Sequence, residues 1–268
     1  MNSLDERFVA SDGLQLYGRR WLPEGRLRGS ALLVHGLGEH SGRYQALAQS
    51  LVERRLAVYA YDHRGHGRSA GRRGWVARFG DFLDDLALVH RSVVSAQPGL
   101  PLFLIGHSMG GLIVTAYLLE KSLKPDFVVL SGPAIVPLIG DDDGIDPTRL
   151  SRDEAVQRAY LEDPLILREK VDKELYHRLA DGLALLPGRA SQLRLPLLLI
   201  HGSADRLCSA EGARRYLEAS GSAQLEIKLY DGGRHEMFNE TNREEVFADL
   251  GAWIEKRLAE TDPDGADC

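Results

Sequence analysis

Cysteine is almost absent from this chain. Of 268 residues only Cys208 and the C-terminal Cys268 are cysteines, too few for a disulfide framework. The simplest expectation is a reducing, cytoplasmic location. Long apolar runs are also lacking. The longest, such as 195–200 (Leu-Pro-Leu-Leu-Leu-Ile), have strand length, well short of the roughly 20 residues that cross a bilayer. The first seven residues lack the apolar core of a secretion signal. Positive charge is not in excess either: 33 Lys and Arg stand against 39 Asp and Glu, a net charge of −6, which argues against general nucleic-acid binding. Part of that acidity is peripheral. Residues 259–268 carry Glu260, Asp262, Asp264 and Asp267 with Pro263 and Gly265 and no apolar periodicity, and read as a frayed tail.

What is present is a regular alternation. Two segments rich in apolar residues flank Ser11-Asp12-Gly13, so residues 5–22 read as a hairpin. Short, nearly continuous apolar runs follow at 31–35, 57–61, 102–105, 127–130, 195–200 and 225–230, the pattern of strands buried on both faces. Between them, 44–55, 81–96, 109–121 and 243–258 place apolar residues at helical spacing. The spacing predicts an α/β fold with an eight-stranded, mostly parallel sheet and helices on both faces, entered through an antiparallel hairpin. Residues 132–194 interrupt the rhythm with helical segments at 151–162 and 165–186 and no strand-like run. They are expected to form an insertion over the C-terminal ends of the strands, on a core of 1–131 and 195–268.

The stretch that carries chemistry is Gly106-His107-Ser108-Met109-Gly110, directly between an apolar run and a helical one. Gly-x-Ser-x-Gly in that setting is the signature of a nucleophile elbow. A sharp strand-to-helix turn strains the Ser backbone, and the flanking glycines remove side chains that would strike the strand or the helix. The Ser108 hydroxyl is thereby held at a helix N-terminus, where unpaired N–H groups and the helix dipole favour negative charge.

A serine hydroxyl needs a base, and the base an orienting acid. On a fold with this elbow the chain order is Ser, then Asp or Glu, then His. Only His201 and His235 lie beyond the later strands. His201 ends the run 195–200, where packing is the simpler role, so His235, in Asp231-Gly232-Gly233-Arg234-His235, is the candidate base. Asp205 follows the same run and is the candidate acid. Asp231 competes, but it sits close to His235 in a tight loop and reads as a turn former. The oxyanion of an attacked carbonyl needs backbone donors. Met109, after the nucleophile, supplies one; Leu37, between glycines in His35-Gly36-Leu37-Gly38, is the candidate for the second.

These stretches together resemble the monoacylglycerol lipase branch of the α/β-hydrolase superfamily. The resemblance also rests on Glu39-His40-Ser41-Gly42-Arg43-Tyr44, Tyr61-Asp62-His63-Arg64-Gly65-His66-Gly67-Arg68-Ser69, Ser131-Gly132-Pro133, Tyr160-Leu161-Glu162-Asp163-Pro164-Leu165 and Gly202-Ser203-Ala204-Asp205-Arg206-Leu207-Cys208. It spans nearly the whole chain and implies a cofactor-independent serine esterase of the α/β-hydrolase fold that releases a fatty acid from glycerol through an acyl-enzyme. It further implies that Glu39, Arg43 and Tyr160 hold the glycerol headgroup. Read unaided, Glu39 and Arg43 form a surface ion pair and Tyr160 is a helix-face aromatic. Cys208 matches a cysteine near the pocket in some members and equally suits an inert buried thiol. Two departures stand out. Phe238 replaces a polar residue of some members, and Pro137-Leu138-Ile139-Gly140 runs through Asp141-Asp142-Asp143-Gly144 almost directly into Leu150-Ser151-Arg152, where members usually carry a longer lipophilic stretch. The insertion is therefore expected to be a shortened cap over a wide pocket suited to short or medium acyl chains, and its contact with a membrane or micelle to be transient.

Other signals weigh less. Gly65-His66-Gly67-Arg68-Ser69-Ala70 nominally fits a dinucleotide fingerprint, but no helix opens there. The arginines at 64, 68, 72, 73 and 78 read as a solvated loop rather than an anion site, and His63 and His66 lack the further ligands of a metal site. The expected partner is a small lipid ester; a lysophospholipase or a short-chain carboxylesterase is the alternative, and a non-catalytic binding module would show a broken triad. The oligomeric state is not encoded in any of these patterns.

Overall fold

The hairpin forms where the sequence predicts it. β1 (Leu4–Val9) pairs antiparallel with β2 (Gln15–Trp21), and Asp12 Oδ1 accepts the Leu14 N–H at 3.1 Å across the turn, where Gly13 takes φ +83°. In this computed structural model, which describes residues 3–137, 145–167 and 173–261, β2 lies antiparallel to β4 (Leu56–Tyr61). From there the sheet is parallel through β3 (Gly29–Val34), β5 (Leu102–His107), β6 (Phe127–Ser131), β7 (Leu197–Gly202) and β8 (Leu225–Tyr230). The order β1-β2-β4-β3-β5-β6-β7-β8 makes one eight-stranded, mostly parallel sheet.

Successive side chains of a strand point to opposite faces, and here both faces are covered. Leu32, Val34, Tyr59, Leu104, Val128 and Leu199 pack on one side with α2 (Phe79–Ala96) and α3 (Met109–Glu120). Their neighbours Ala31, Leu33, Val58, Ile105, Val129 and Ile200 pack on the other with α1 (Gln45–Glu53) and α7 (Arg243–Thr261). Five strands, β3 to β7, are buried along their whole length, which is why they read as continuous apolar runs. β8 at the edge is only half-buried and carries Glu226 and Lys228.

Between β6 and β7 lie α4 (Glu154–Glu162) and α5 (Lys173–Leu183). The helical segment read over 165–186 does not begin at 165. Asp163 Oδ1 accepts the Leu165 N–H at 2.8 Å and Pro164 follows, so the chain turns after α4. One helix, α6 (Ala210–Glu218), has no counterpart in the sequence reading; its buried side is only Ala213 and Leu217. α7 runs to Thr261, so residues 259–261 are helical rather than frayed, and the rest of the tail, with Cys268, lies outside the described residues, as does the acidic stretch 141–143. The arginine-bearing loop after β4 is not solvated throughout either: Arg64 is buried, with Nε and Nη2 each 2.6 Å from the Asp85 carboxylate of α2 and Nη1 2.8 Å from Asp12.

α3 crosses so close to β3 that a Cβ on Gly110 would stand 2.1 Å from the Val34 carbonyl oxygen. Gly110→Ala is therefore expected to destabilise the protein by about 3 kcal/mol or more. A urea unfolding midpoint equal to the parent's would refute this packing argument.

Candidate active site

β5 delivers Ser108 into a turn with φ +53° and ψ −120°, a conformation that side chains rarely adopt. The turn is held from three sides. Ser108 N–H donates to Ser131 O at 3.0 Å, its carbonyl accepts Ala134 N–H at 3.1 Å, and a Cβ on Gly106 would meet Gly110 O at 2.7 Å. Close approach thus forbids any side chain at that glycine.

β7 and β8 each end in a loop that contributes one further group. Asp205 is buried, and its Oδ1 accepts the N–H groups of Leu207 (2.8 Å) and Cys208 (3.0 Å). Its Oδ2 receives His235 Nδ1 at 2.8 Å and His201 Nε2 at 2.9 Å. His201 thus braces the Asp205 carboxylate rather than merely packing in the strand, while Asp231 lies exposed and accepts from the Ser203 hydroxyl at 3.2 Å. Burial alone would lower His235, but the Asp205 carboxylate, with Glu236 and Glu39, outweighs it and raises the ring above 6.5. Burial would raise Asp205; the two imidazoles instead hold it far below the usual carboxylate range. The ring of His107 lies 4.8 Å from that of His235, and Gly132 packs against the same ring.

The Cys208 thiol lies beside the Ser108 side chain. Burial pushes that thiol well up, so it is neutral. Among the described residues no hydrogen bond joins Ser108 to His235; such bonds commonly tighten only with substrate in place. Gly36 approaches from β3 until a Cβ on it would stand 3.1 Å from Ser108 Cβ, which brings the loop bearing Leu37 alongside the hydroxyl. Met109 opens α3, so its N–H has no partner within the helix.

Glu39, Arg43 and Tyr160 converge beside this loop. Arg43 Nη1 is 3.1 Å from Glu39 Oε2, and the guanidinium lies over the Tyr160 ring at 5.1 Å. Glu39 Oε1 accepts Gly36 N–H and Tyr44 OH, both at 2.7 Å. The reading of Glu39 and Arg43 as a surface pair is corrected here, since their side chains are only 5% and 10% exposed.

Comparison with known proteins places the arrangement. The family model described as serine aminopeptidase, S33, matches residues 25–242. A monoacylglycerol lipase of Mycolicibacterium smegmatis is 33% identical over 95% of this chain and 98% of its own. Human monoglyceride lipase is 34% identical over 94% of this chain and 90% of its own. The chain belongs to the monoacylglycerol lipase family. The same family supplies a solved relative, a monoglyceride lipase of Saccharomyces cerevisiae in complex with a substrate analog, which superposes with a TM-score of 0.83 at 26% identity, covering 95% of this chain and 94% of that one.

One further group matters that the motifs did not announce. Glu236, next to His235, takes Arg43 Nη1 and Nη2 at 2.5 and 2.7 Å. Phe238 does not face the site; it stacks with Phe247 of α7 in the core. The insertion is tied to both loops. Leu167 N–H donates to Gly38 O and Asp163 accepts from His40 Nε2, each at 2.8 Å. At its other end, Glu236 N–H donates to Leu150 O at 2.8 Å, and buried Glu240 accepts Arg152 Nε and Arg234 N–H, both at 3.0 Å.

Three histidines pack about the Leu37 loop. His35, His63 and His66 are buried, with the first two rings 4.2 Å apart. His35 Nε2 accepts the His63 N–H at 2.9 Å and His63 Nε2 donates to His35 O at 3.0 Å. Among the described residues no group of His, Cys, Asp and Glu is arranged to hold a metal. Burial lowers all three, His66 to about 4, and His107 likewise to about 4. Because their unfolded value is near 6.5, the unfolded chain takes up these protons first. Their contribution to stability is full above that value and is lost as pH falls towards 4, by up to about 1.4 kcal/mol per pH unit for each histidine. The raised His235 acts in the opposite sense but is one ring against five, since burial lowers His90 of α2 to about 4 as well. Urea unfolding between about pH 7.5 and about pH 5 should show a steep loss of stability; a flat profile would contradict neutral burial.

Proposed function

We propose that this chain is a serine esterase that hydrolyses monoacylglycerols to glycerol and fatty acid through an acyl-enzyme. The observation that carries the reading is the Asp205–His235 hydrogen bond of 2.8 Å beside a serine held in a strained strand-to-helix turn. Ser108 Oγ attacks the ester carbonyl while His235 Nε2 takes its proton. Asp205, on Nδ1, fixes the tautomer and stabilises the imidazolium. The amides of Leu37 and Met109 receive the oxyanion. His235 then gives the proton to the departing glycerol oxygen, and a water deprotonated by the same ring cleaves the acyl–Ser108 bond, releasing the fatty acid and restoring the serine.

In this reading Glu39, Arg43 and Tyr160 hold the glycerol headgroup, and residues 132–194 act as a cap on the core of 1–131 and 195–268. Exposed Leu161 on α4 supports transient contact of that cap with a lipid surface. A cytoplasmic location, read from the scarcity of cysteine, belongs to the same proposal.

Ser108→Ala should abolish labelling by a fluorophosphonate probe and cut kcat on the order of 10³-fold or more; labelling or turnover at the parent's level would refute the assignment. Across monoacylglycerols of graded length, kcat/KM is expected to peak at short or medium chains, with lysophospholipids poorer. A clear preference for long chains would count against the wide pocket, and one for lysophospholipids against the substrate class.

A further inference from the structure

Glu236 takes no part in the steps above, yet it is buried and heavily tied. Its carboxylate grips Arg43 with both oxygens, at 2.5 and 2.7 Å, and accepts from Asn239 Nδ2 at 3.0 Å. Arg43 in turn reaches Glu39 Oε2 at 3.1 Å, and the other Glu39 oxygen holds the Gly36 N–H at 2.7 Å. Arg43 and Glu39 together therefore link the residue after His235 to the residue before Leu37. A buried ion pair adds little net stability over apolar packing, so what it contributes here is the geometry it fixes.

Resting on the roles given above to His235 and Leu37, we propose that Glu236 is a positioning residue: through Arg43 it sets the spacing between the loop that carries the base and the loop that carries the oxyanion donor, whatever alcohol the ester contains. Its charge acts on the base as well. His235 is faced by the carboxylates of Asp205, Glu236 and Glu39 and by the His107 ring, with Arg43 between the two glutamates. The Glu236 anion favours the protonated ring. Removing that charge makes His235 less basic, so the acid limb of kcat/KM, which reports its deprotonation in the free enzyme, moves to lower pH.

The test compares full-length E236Q and E236D with the parent on a monoacylglycerol and on p-nitrophenyl acetate, which has no glycerol. In E236Q the plateau of kcat/KM should fall about 10- to 100-fold on both esters, mainly through kcat, and the acid limb should shift to lower pH. E236D keeps the charge but is one methylene short; its plateau should fall on both esters with the limb near the parent's position. A loss confined to the monoacylglycerol would overturn the proposal by making Glu236 a headgroup ligand. A parent-like plateau in E236Q, or in E236D should E236Q not fold, would overturn it too, as would a lowered plateau in E236Q with an unmoved limb. Failure of the underlying reading is separate: the parent itself would then not be labelled at Ser108 by a fluorophosphonate.

Discussion

Four hydrogen bonds converge on the Asp205 carboxylate, two on each oxygen. Taking a carboxylate out of water is costly unless its lone pairs are satisfied, and here the backbone of its own turn and two imidazoles satisfy them. The consequence is mechanical as well as electrostatic. His201 pins the Asp205 side chain to the strand it follows, and the Leu207 and Cys208 amides fold the turn around it, so the remaining donor, His235, has one place to be. The same turn sets the Cys208 thiol against Ser108. Loosening this carboxylate would let the ends of β7 and β8 drift independently of the serine turn on β5.

The opposite wall of the site is built on different physics. The Leu37 loop has no regular secondary structure of its own, and it rests on neutral histidines that pair with backbone groups of their neighbours. Asp62 adds a second support: its Oδ1 accepts Ser41 N–H at 2.8 Å and its Oδ2 accepts Arg68 N–H at 2.7 Å. The glycine-rich loop after β4, which superficially resembles a phosphate cradle, is thus engaged in holding up this wall.

The parts legible in the sequence are those whose cause is local. Strands buried on both faces must be apolar along their length, and the elbow needs glycine because a Cβ would strike backbone, so both leave continuous signatures. Long-range partners leave none. Glu236 sits beside His235, but its cation is 193 residues away, and neither residue advertises the other. His201 looks like a packing residue in the sequence because nothing in its neighbourhood predicts that the Asp205 side chain folds back upon it. Tyr160 is on a helix face, as its spacing suggests, but the face is turned to Arg43. α6 leaves a faint signature because Ala213 and Leu217 are its only fully buried residues.

Besides α5, which packs into the core through Leu175 and Leu179, the stretch between β6 and β7 bonds to the loops of the site at residues 148–152 and 163–167, and α4 lies between these two attachments. Each attachment uses the backbone of a loop beside the serine turn or next to His235, at Gly38 or at Glu236. Chimeras that swap the whole stretch between homologues would therefore import foreign partners for both loops at once. Crossovers placed just inside the attachments would leave them native. The interval that an engineer can exchange is the outer side of α4, since Tyr160 on its inner side must stay over Arg43.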